Sequence, residues 1–150
     1  MAYLWAAHPL FTRSTTTDLV LPDAIGSLDI VGGLAAGTSV AVDDPIVSVA
    51  SDADLGRSAI KLYVPPDTPC SWAALEEPQV GIALRLDWDS TMIRYLGIWI
   101  DRGRYTPSGA VAIEPTNGYH DDLARAWQAG RVAHVDRSAA AEWWLAVTMR

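Results

Sequence analysis

The sequence has little cysteine, no long apolar run and few basic residues. Its one cysteine, Cys70, excludes both an intrachain disulfide and a cysteine-based metal site. No stretch approaches the roughly 20 apolar residues that span a bilayer. With 11 basic and 18 acidic side chains the net charge is −7. Such a surface repels nucleic-acid phosphates and anionic lipid headgroups, so we predict neither as a partner.

The length and composition predict one folded domain. A chain of 150 residues, half of them apolar, is long enough for a single hydrophobic core, so the predicted domain spans residues 1–150. The first residues, MAYLWAAHPLF, lack the basic start, apolar core and cleavage site of a signal peptide. We therefore expect a cytoplasmic protein.

The apolar residues form short runs separated by Gly, Pro, Asp, Ser and Thr, a pattern typical of all-β proteins. Turns are predicted at Ile25–Ser27 and Val31–Leu34, and Glu76–Glu77 is interpreted as a solvated turn. The predicted strands are Ala2–Ala7, Asp18–Leu21, Ser39–Val42, Ala59–Val64, Gln79–Trp88, Tyr95–Asp101, Ala110–Glu114, Arg131–Val135 and Glu142–Met149.

Two predicted strands alternate with a period of two. In Tyr95–Asp101 the apolar residues 96, 98 and 100 share one face, so Trp99 is expected on the opposite face. Gln79–Trp88 alternates in the same way. One helix is predicted at His120–Ala129, with acidic residues in its first turn, Gly130 as its stop, and Leu123, Ala126 and Trp127 on one apolar face.

Several common catalytic motifs are missing. Gly32 and Gly33 lack the spacing of a phosphate-binding GxGxxG loop, and no HExxH, EF-hand or GxSxG pattern occurs. The sequence therefore gives no sign of a metal site or of a nucleotide cofactor.

The candidate chemistry lies in one histidine and one glutamate that are far apart in the chain. His8 and Glu114 each end an apolar, strand-like run, and each is followed by proline. Histidine suits general acid catalysis near neutral pH, and a glutamate in a cleft suits a general base. Two strands that deliver an acid and a base to one site could hold a sugar ring between them. Each residue alone could instead be an ordinary solvated side chain.

Other candidates are ligand contacts. Asp87 and Asp89 flank Trp88 and could touch a ligand, although such a pair also opens turns. The chain is rich in tryptophan, whose indole face stacks on sugar C–H groups, while most tryptophans are expected in the core. Trp99 is the one predicted to line a pocket. The seven are Trp5, Trp72, Trp88, Trp99, Trp127, Trp143 and Trp144.

Four segments give the chain a resemblance to the aldose 1-epimerase (galactose mutarotase-like) family. They are WAAHPLF around His8, YLGIWIDRG at Tyr95–Gly103, VAIEPTNGYHDDLARA at Val111–Ala126 and AEWWLAV at Ala141–Val147. The resemblance implies a β-supersandwich and cofactor-free interconversion of the anomers of a free aldose. His8 matches the histidine that protonates the ring oxygen, and Glu114 matches the glutamate that takes the proton of the C1 hydroxyl. Trp99 and Asn117 would line the sugar site, with a turn role equally open for Asn117.

The family domains are about twice as long, so the resemblance also implies a shortened or C-terminal portion of the fold. Missing strands would leave unpaired sheet edges, so homo-oligomerisation is expected. The alternatives are a non-catalytic carbohydrate-binding module, or an inactive fragment of the family fold. The sequence does not specify the sugar. Arg94, Arg102 and Arg104 leave a phosphorylated sugar possible as the substrate.

Overall fold

The computed structural model describes residues 1–50 and 55–150, which form twelve β-strands and one short helix. The predicted all-β class is confirmed. The elements are β1 (Ala2–Tyr3), β2 (Leu10–Phe11), β3 (Asp18–Val20), β4 (Ser27–Gly33), β5 (Ser39–Ala41), β6 (Ala59–Tyr63), β7 (Trp72–Glu77), β8 (Ile82–Trp88), β9 (Tyr95–Asp101), β10 (Ala110–Thr116), α1 (Leu123–Gln128), β11 (Ala133–His134) and β12 (Leu145–Met149).

The strands form three antiparallel sheets. The largest has six strands in the order β2-β10-β9-β6-β4-β5, the second has four in the order β12-β8-β7-β3, and β1 pairs with β11. The outer strands of the two larger sheets are the edges at which self-association was expected. That expectation stays a prediction.

The hydrophobic core lies between the two larger sheets. Side chains of β6, β9 and β10 in the six-stranded sheet point alternately to its two faces. On one face they are aliphatic and almost completely buried. These are Ile60, Leu62, Leu96, Ile98, Ile100, Val111 and Ile113. They pack in one cluster with residues of β7 and β8, namely Ala73, Leu75, Leu86 and Trp88. Two sheets that share one apolar layer form a β-sandwich.

The opposite face of the six-stranded sheet carries charged side chains as well as an aromatic one. Cross-strand neighbours on this face include Lys61 beside Trp99, and Glu114 beside Gly97. Because side chains alternate along a strand, the apolar face fixes the position of this polar face. The prediction that Trp99 lies opposite the apolar residues of its strand is confirmed.

Strand β4 takes up residues 31–33 of the turn predicted at Val31–Leu34 and Ser27 of the turn predicted at Ile25–Ser27. The segment Ser27–Gly33 is a strand that pairs with β5 and β6, with Leu28 and Ile30 buried in the core. A register shift between Ile30 and Gly32 leaves Val31 as the bulged residue, while Gly32 and Gly33 pair with Lys61 and Ile60. Tertiary pairing overrides the weak strand preference of glycine here.

Several predicted boundaries also move. Glu76–Glu77 belongs to β7 rather than to a turn, and the strand predicted at Gln79–Trp88 begins only at Ile82. Strand β10 continues past Glu114 to Thr116. The predicted Ala2–Ala7, Arg131–Val135 and Glu142–Met149 are likewise shorter, being Ala2–Tyr3, Ala133–His134 and Leu145–Met149.

The helix is shorter than predicted because His120 has a left-handed backbone, with φ of 79°, and Asp122 is the N-cap, accepting a hydrogen bond from the Arg125 amide. Of the three residues predicted to share one face, Ala126 is buried, whereas Leu123 and Trp127 are exposed. In the described part of the chain, the helix is far too short to cross a membrane.

We predict that Ile98→Ala lowers the free energy of unfolding by about 2–5 kcal/mol, because it opens a cavity in the central strand of the core. Ile98 has no exposed surface. Urea denaturation followed by tryptophan fluorescence measures the loss. Val80→Ala is the control, since Val80 is 65% exposed and its truncation should change stability by less than about 0.5 kcal/mol. Equal effects of the two substitutions would contradict this placement of the core.

Candidate acid–base site

A cleft of about 490 Å³ opens on the polar face of the six-stranded sheet. It is lined by residues from four separate parts of the chain. They include Trp5, His8, Lys61, Trp99, Glu114, His120 and Asp121. The cleft therefore gathers both residues that the sequence proposed as acid and base.

Strand register brings His8 to Glu114. Ala6 pairs with Thr116, and Leu10 pairs with Ala112, both antiparallel. The two pairings share one register, so His8 falls opposite Glu114. The His8 Nε2 atom lies 3.3 Å from Glu114 Oε1. The predicted convergence of these two side chains from remote segments is confirmed.

The segment that carries His8 is tied to the end of β10 by backbone and side-chain hydrogen bonds. The Trp5 amide donates to Asn117 Oδ1 at 2.8 Å, and the Asn117 amide donates to the Trp5 carbonyl at 3.1 Å. The Thr116 hydroxyl donates to the same carbonyl at 2.8 Å. These bonds fix the position of His8, because Trp5 lies only three residues before it in the chain.

Glu114 is a buried carboxylate with its two oxygens in different surroundings. The residue is 2% exposed and lies inside β10, two residues before the strand ends, rather than at the strand end as the sequence suggested. Oε2 accepts a hydrogen bond from Lys61 Nζ. Oε1 accepts no hydrogen bond within the described residues, although His8 lies beside it. One oxygen is thus held by Lys61, and the other, itself without exposed surface, has a free acceptor position beside His8.

Lys61 links Glu114 to a second carboxylate. Its Nζ lies 3.1 Å from Asp121 Oδ1, which also accepts a 2.7 Å hydrogen bond from the Tyr63 hydroxyl. Burial, followed by this bond to Asp121, raises the pKa of Tyr63 well above its usual range, so the phenol stays a neutral donor. The sequence reasoning missed Lys61 and Asp121. A charged residue inside the apolar run Ala59–Val64 was the available signal.

Trp99 forms an aromatic wall beside the acid–base pair. Its ring centroid lies 6.3 Å from that of His8 and 5.7 Å from that of Tyr105. Trp99 is partly buried and Tyr105 is exposed. The position of Trp99 in a pocket agrees with the sequence prediction.

Two predicted ligand contacts do not line this cleft. Asp87 lies on β8 of the other sheet, where the Arg85 guanidinium holds its carboxylate at 2.7 and 3.0 Å. Asn117 lines a different cavity and uses its side-chain oxygen on the Trp5 backbone. It supports the site from outside the cleft. Sequence proximity to Glu114 could not show this, because the chain leaves β10 at Asn117.

Asp101 anchors the loop that carries Tyr105. Its buried carboxylate accepts hydrogen bonds from the amides of Arg104, Tyr105 and Thr106, and from the Thr106 hydroxyl. Burial disfavours the charged form, but the amide and hydroxyl donors outweigh it, so the pKa of Asp101 lies below its ordinary value. The position of Tyr105 beside Trp99 thus depends on an ionised Asp101.

Among residues 1–50 and 55–150 no cluster of three or more His, Cys, Asp or Glu side chains could hold a metal ion. No family model, curated protein or solved structure matches the chain. The resemblance to the aldose 1-epimerase family therefore stays a prediction, and the geometry of the cleft carries the functional proposal.

We predict that Asp101→Asn reduces the pH dependence of stability. A carboxylate whose pKa is depressed by folding stabilises the fold above its unfolded pKa, and this contribution disappears as the pH falls through the lower folded value. The wild type should therefore lose more stability than the variant when the pH falls from 7 to 3. The urea midpoint at the two pH values measures this.

The control for this experiment is Asp23→Asn, which changes an exposed loop carboxylate and should leave the urea midpoint at pH 7 unchanged. An identical pH response in the wild type and Asp101→Asn would show that the Asp101 carboxylate does not stabilise the loop.

Proposed function

We propose that the protein is a cofactor-free aldose 1-epimerase, interconverting the α and β anomers of a free aldose by acid–base ring opening. The observation that carries the proposal is the meeting of His8 and Glu114, 3.3 Å apart, at one cleft. The ring oxygen and the anomeric hydroxyl are both bonded to C1. An acid and a base that serve them together must therefore lie close to each other.

The reaction needs two proton transfers around C1. His8, as imidazolium, gives a proton to the ring oxygen, while Glu114 Oε1 takes the proton of the C1 hydroxyl. The bond from C1 to the ring oxygen breaks, and the C1–hydroxyl oxygen bond becomes the carbonyl of the open aldehyde. Rotation about C1–C2 exposes the other carbonyl face. As the ring closes, Glu114 gives its proton to the carbonyl oxygen, and His8 takes back the proton of the hydroxyl that becomes the ring oxygen again.

The surroundings of the two groups suit these roles. Glu114 is almost fully buried, and its Oε1 has a free acceptor position. The His8 side chain is 53% exposed, so its proton can exchange with water between turnovers. A neutral sugar also fits a chain with a net charge of −7, which would repel anionic ligands. Cytoplasmic location stays a prediction.

We predict that Glu114→Gln and His8→Gln each lower kcat for mutarotation by about 10²–10⁴-fold, since each removes one proton-transfer group. Polarimetry of freshly dissolved α-glucose or α-galactose measures the rate against the spontaneous reaction. A wild type that does not exceed the spontaneous rate would refute the proposed activity.

Matched control variants are available in the same chain. Glu76→Gln changes an exposed glutamate on the other sheet, and His134→Gln changes an exposed histidine on β11. Neither lines the cleft that holds His8 and Glu114. Both should keep the wild-type rate, and a loss in either would point to a general effect on the fold.

A carbohydrate-binding module is the second candidate, favoured by the aromatic pair of Trp99 and Tyr105. Under both candidates we predict that Trp99→Ala weakens sugar binding, because an indole face stacks on sugar C–H groups. The loss should be about tenfold, equivalent to roughly 1.4 kcal/mol. Isothermal titration calorimetry measures it, with Trp127→Ala, an exposed helix residue, as the control. Binding without faster mutarotation in the wild type would favour the module.

A further inference from the structure

The chain contains ten arginines and a single lysine, and that lysine is buried in the cleft. Lys61 is 9% exposed, whereas lysines are almost never buried without a partner. It lies in β6, all five residues of which are buried. A buried ammonium in an otherwise apolar strand requires an explanation from its contacts.

Lys61 reaches Glu114 by crossing the strand between them. Strand β9 separates β6 from β10, and its Gly97 is the register partner of both Tyr63 and Glu114. A Cβ atom at Gly97 would lie 3.3 Å from both Cε and Nζ of Lys61, and 3.3 Å from the Tyr63 ring. The missing side chain at Gly97 therefore gives the lysine stem its path to the carboxylate.

We propose that Lys61 is the positioning residue of Glu114, held in place by Asp121 and given its path by Gly97. This inference rests on the function proposed above. The ammonium occupies Oε2 of Glu114 and turns Oε1 toward His8 and the cleft. The same ammonium lies 3.1 Å from Asp121 Oδ1, the oxygen that also accepts from the Tyr63 hydroxyl. No proton or covalent bond passes through Lys61.

The alternative is an ion pair that only stabilises the fold. Two observations favour positioning. Buried ion pairs are weak stabilisers and can often be replaced by apolar residues at little cost. In addition, the lysine contacts the oxygen of Glu114 that the proposed reaction does not use, and leaves the reactive oxygen without a hydrogen bond.

The test compares mutarotation by the wild type, Lys61→Met and Gly97→Ala. Lys61→Met keeps a stem of similar length without the charge. Gly97→Ala keeps every charge but crowds the lysine stem by a few tenths of an ångström. A carboxylate displaced by about 1 Å can lose about 100-fold in rate. We expect kcat to fall about 100-fold in Lys61→Met and to fall less in Gly97→Ala, with KM little changed in both.

A double mutant separates positioning from direct action. If Lys61 works through Glu114, Lys61→Met should cause no further loss in a Glu114→Gln background. Gly26→Ala is the control, because a Cβ there meets no atom within 4 Å. It should keep the wild-type kcat. Circular dichroism and the urea midpoint show that each variant is folded.

The outcomes are distinct. An active wild type with unchanged kcat in Lys61→Met, or an additive loss in the double mutant, overturns the positioning role and leaves the proposed function standing. A wild type at the spontaneous rate overturns the proposed function and this inference with it. If Lys61→Met does not fold, an unchanged kcat in Gly97→Ala still overturns the inference.

Discussion

The register of the six-stranded antiparallel sheet is the constraint on which the site depends. Glu114 and Tyr63 are both opposite Gly97, and His8 falls opposite Glu114 through the pairings at Ala6 and Leu10. The acid, the base and the gap for the lysine thus form one row across neighbouring strands. A slip of one residue in any of these pairings would point the side chain of one of these residues into the core.

The core keeps this register in place. The face of β6, β9 and β10 opposite the cleft is aliphatic and packs on the four-stranded sheet, so a register slip would expose apolar side chains and bury polar ones. The buried charges of Lys61 and Glu114 lie on the other face, where each offsets the desolvation of its partner. The apolar layer supplies the stability, and the ion pairs supply a defined geometry for one carboxylate.

Much of the site could be predicted from the sequence, because its signals lie within a few neighbouring residues. His8 and Glu114 each follow an apolar run of the sequence, and Trp99 alternates with apolar residues within one, a pattern that a few neighbouring residues show. Asp87 and Asn117 were assigned to the site by neighbourhood in the chain, yet Asp87 pairs with Arg85 on the other sheet and Asn117 binds the Trp5 backbone. Strand β4 was missed because its glycines resemble turns until pairing with β6 is considered.

The sequence by itself determined the all-β class, the alternation that puts Trp99 opposite the core, and a histidine and a glutamate that each follow an apolar run. These depend on periodicity and residue type over short distances, where local physics is sufficient. Only the tertiary structure decided that His8 lies opposite Glu114 and that Lys61 passes over Gly97. It also decided that Asp121 contacts the Lys61 ammonium. Such pairings join segments 36 to 106 residues apart, and their register depends on the packing of the whole sheet.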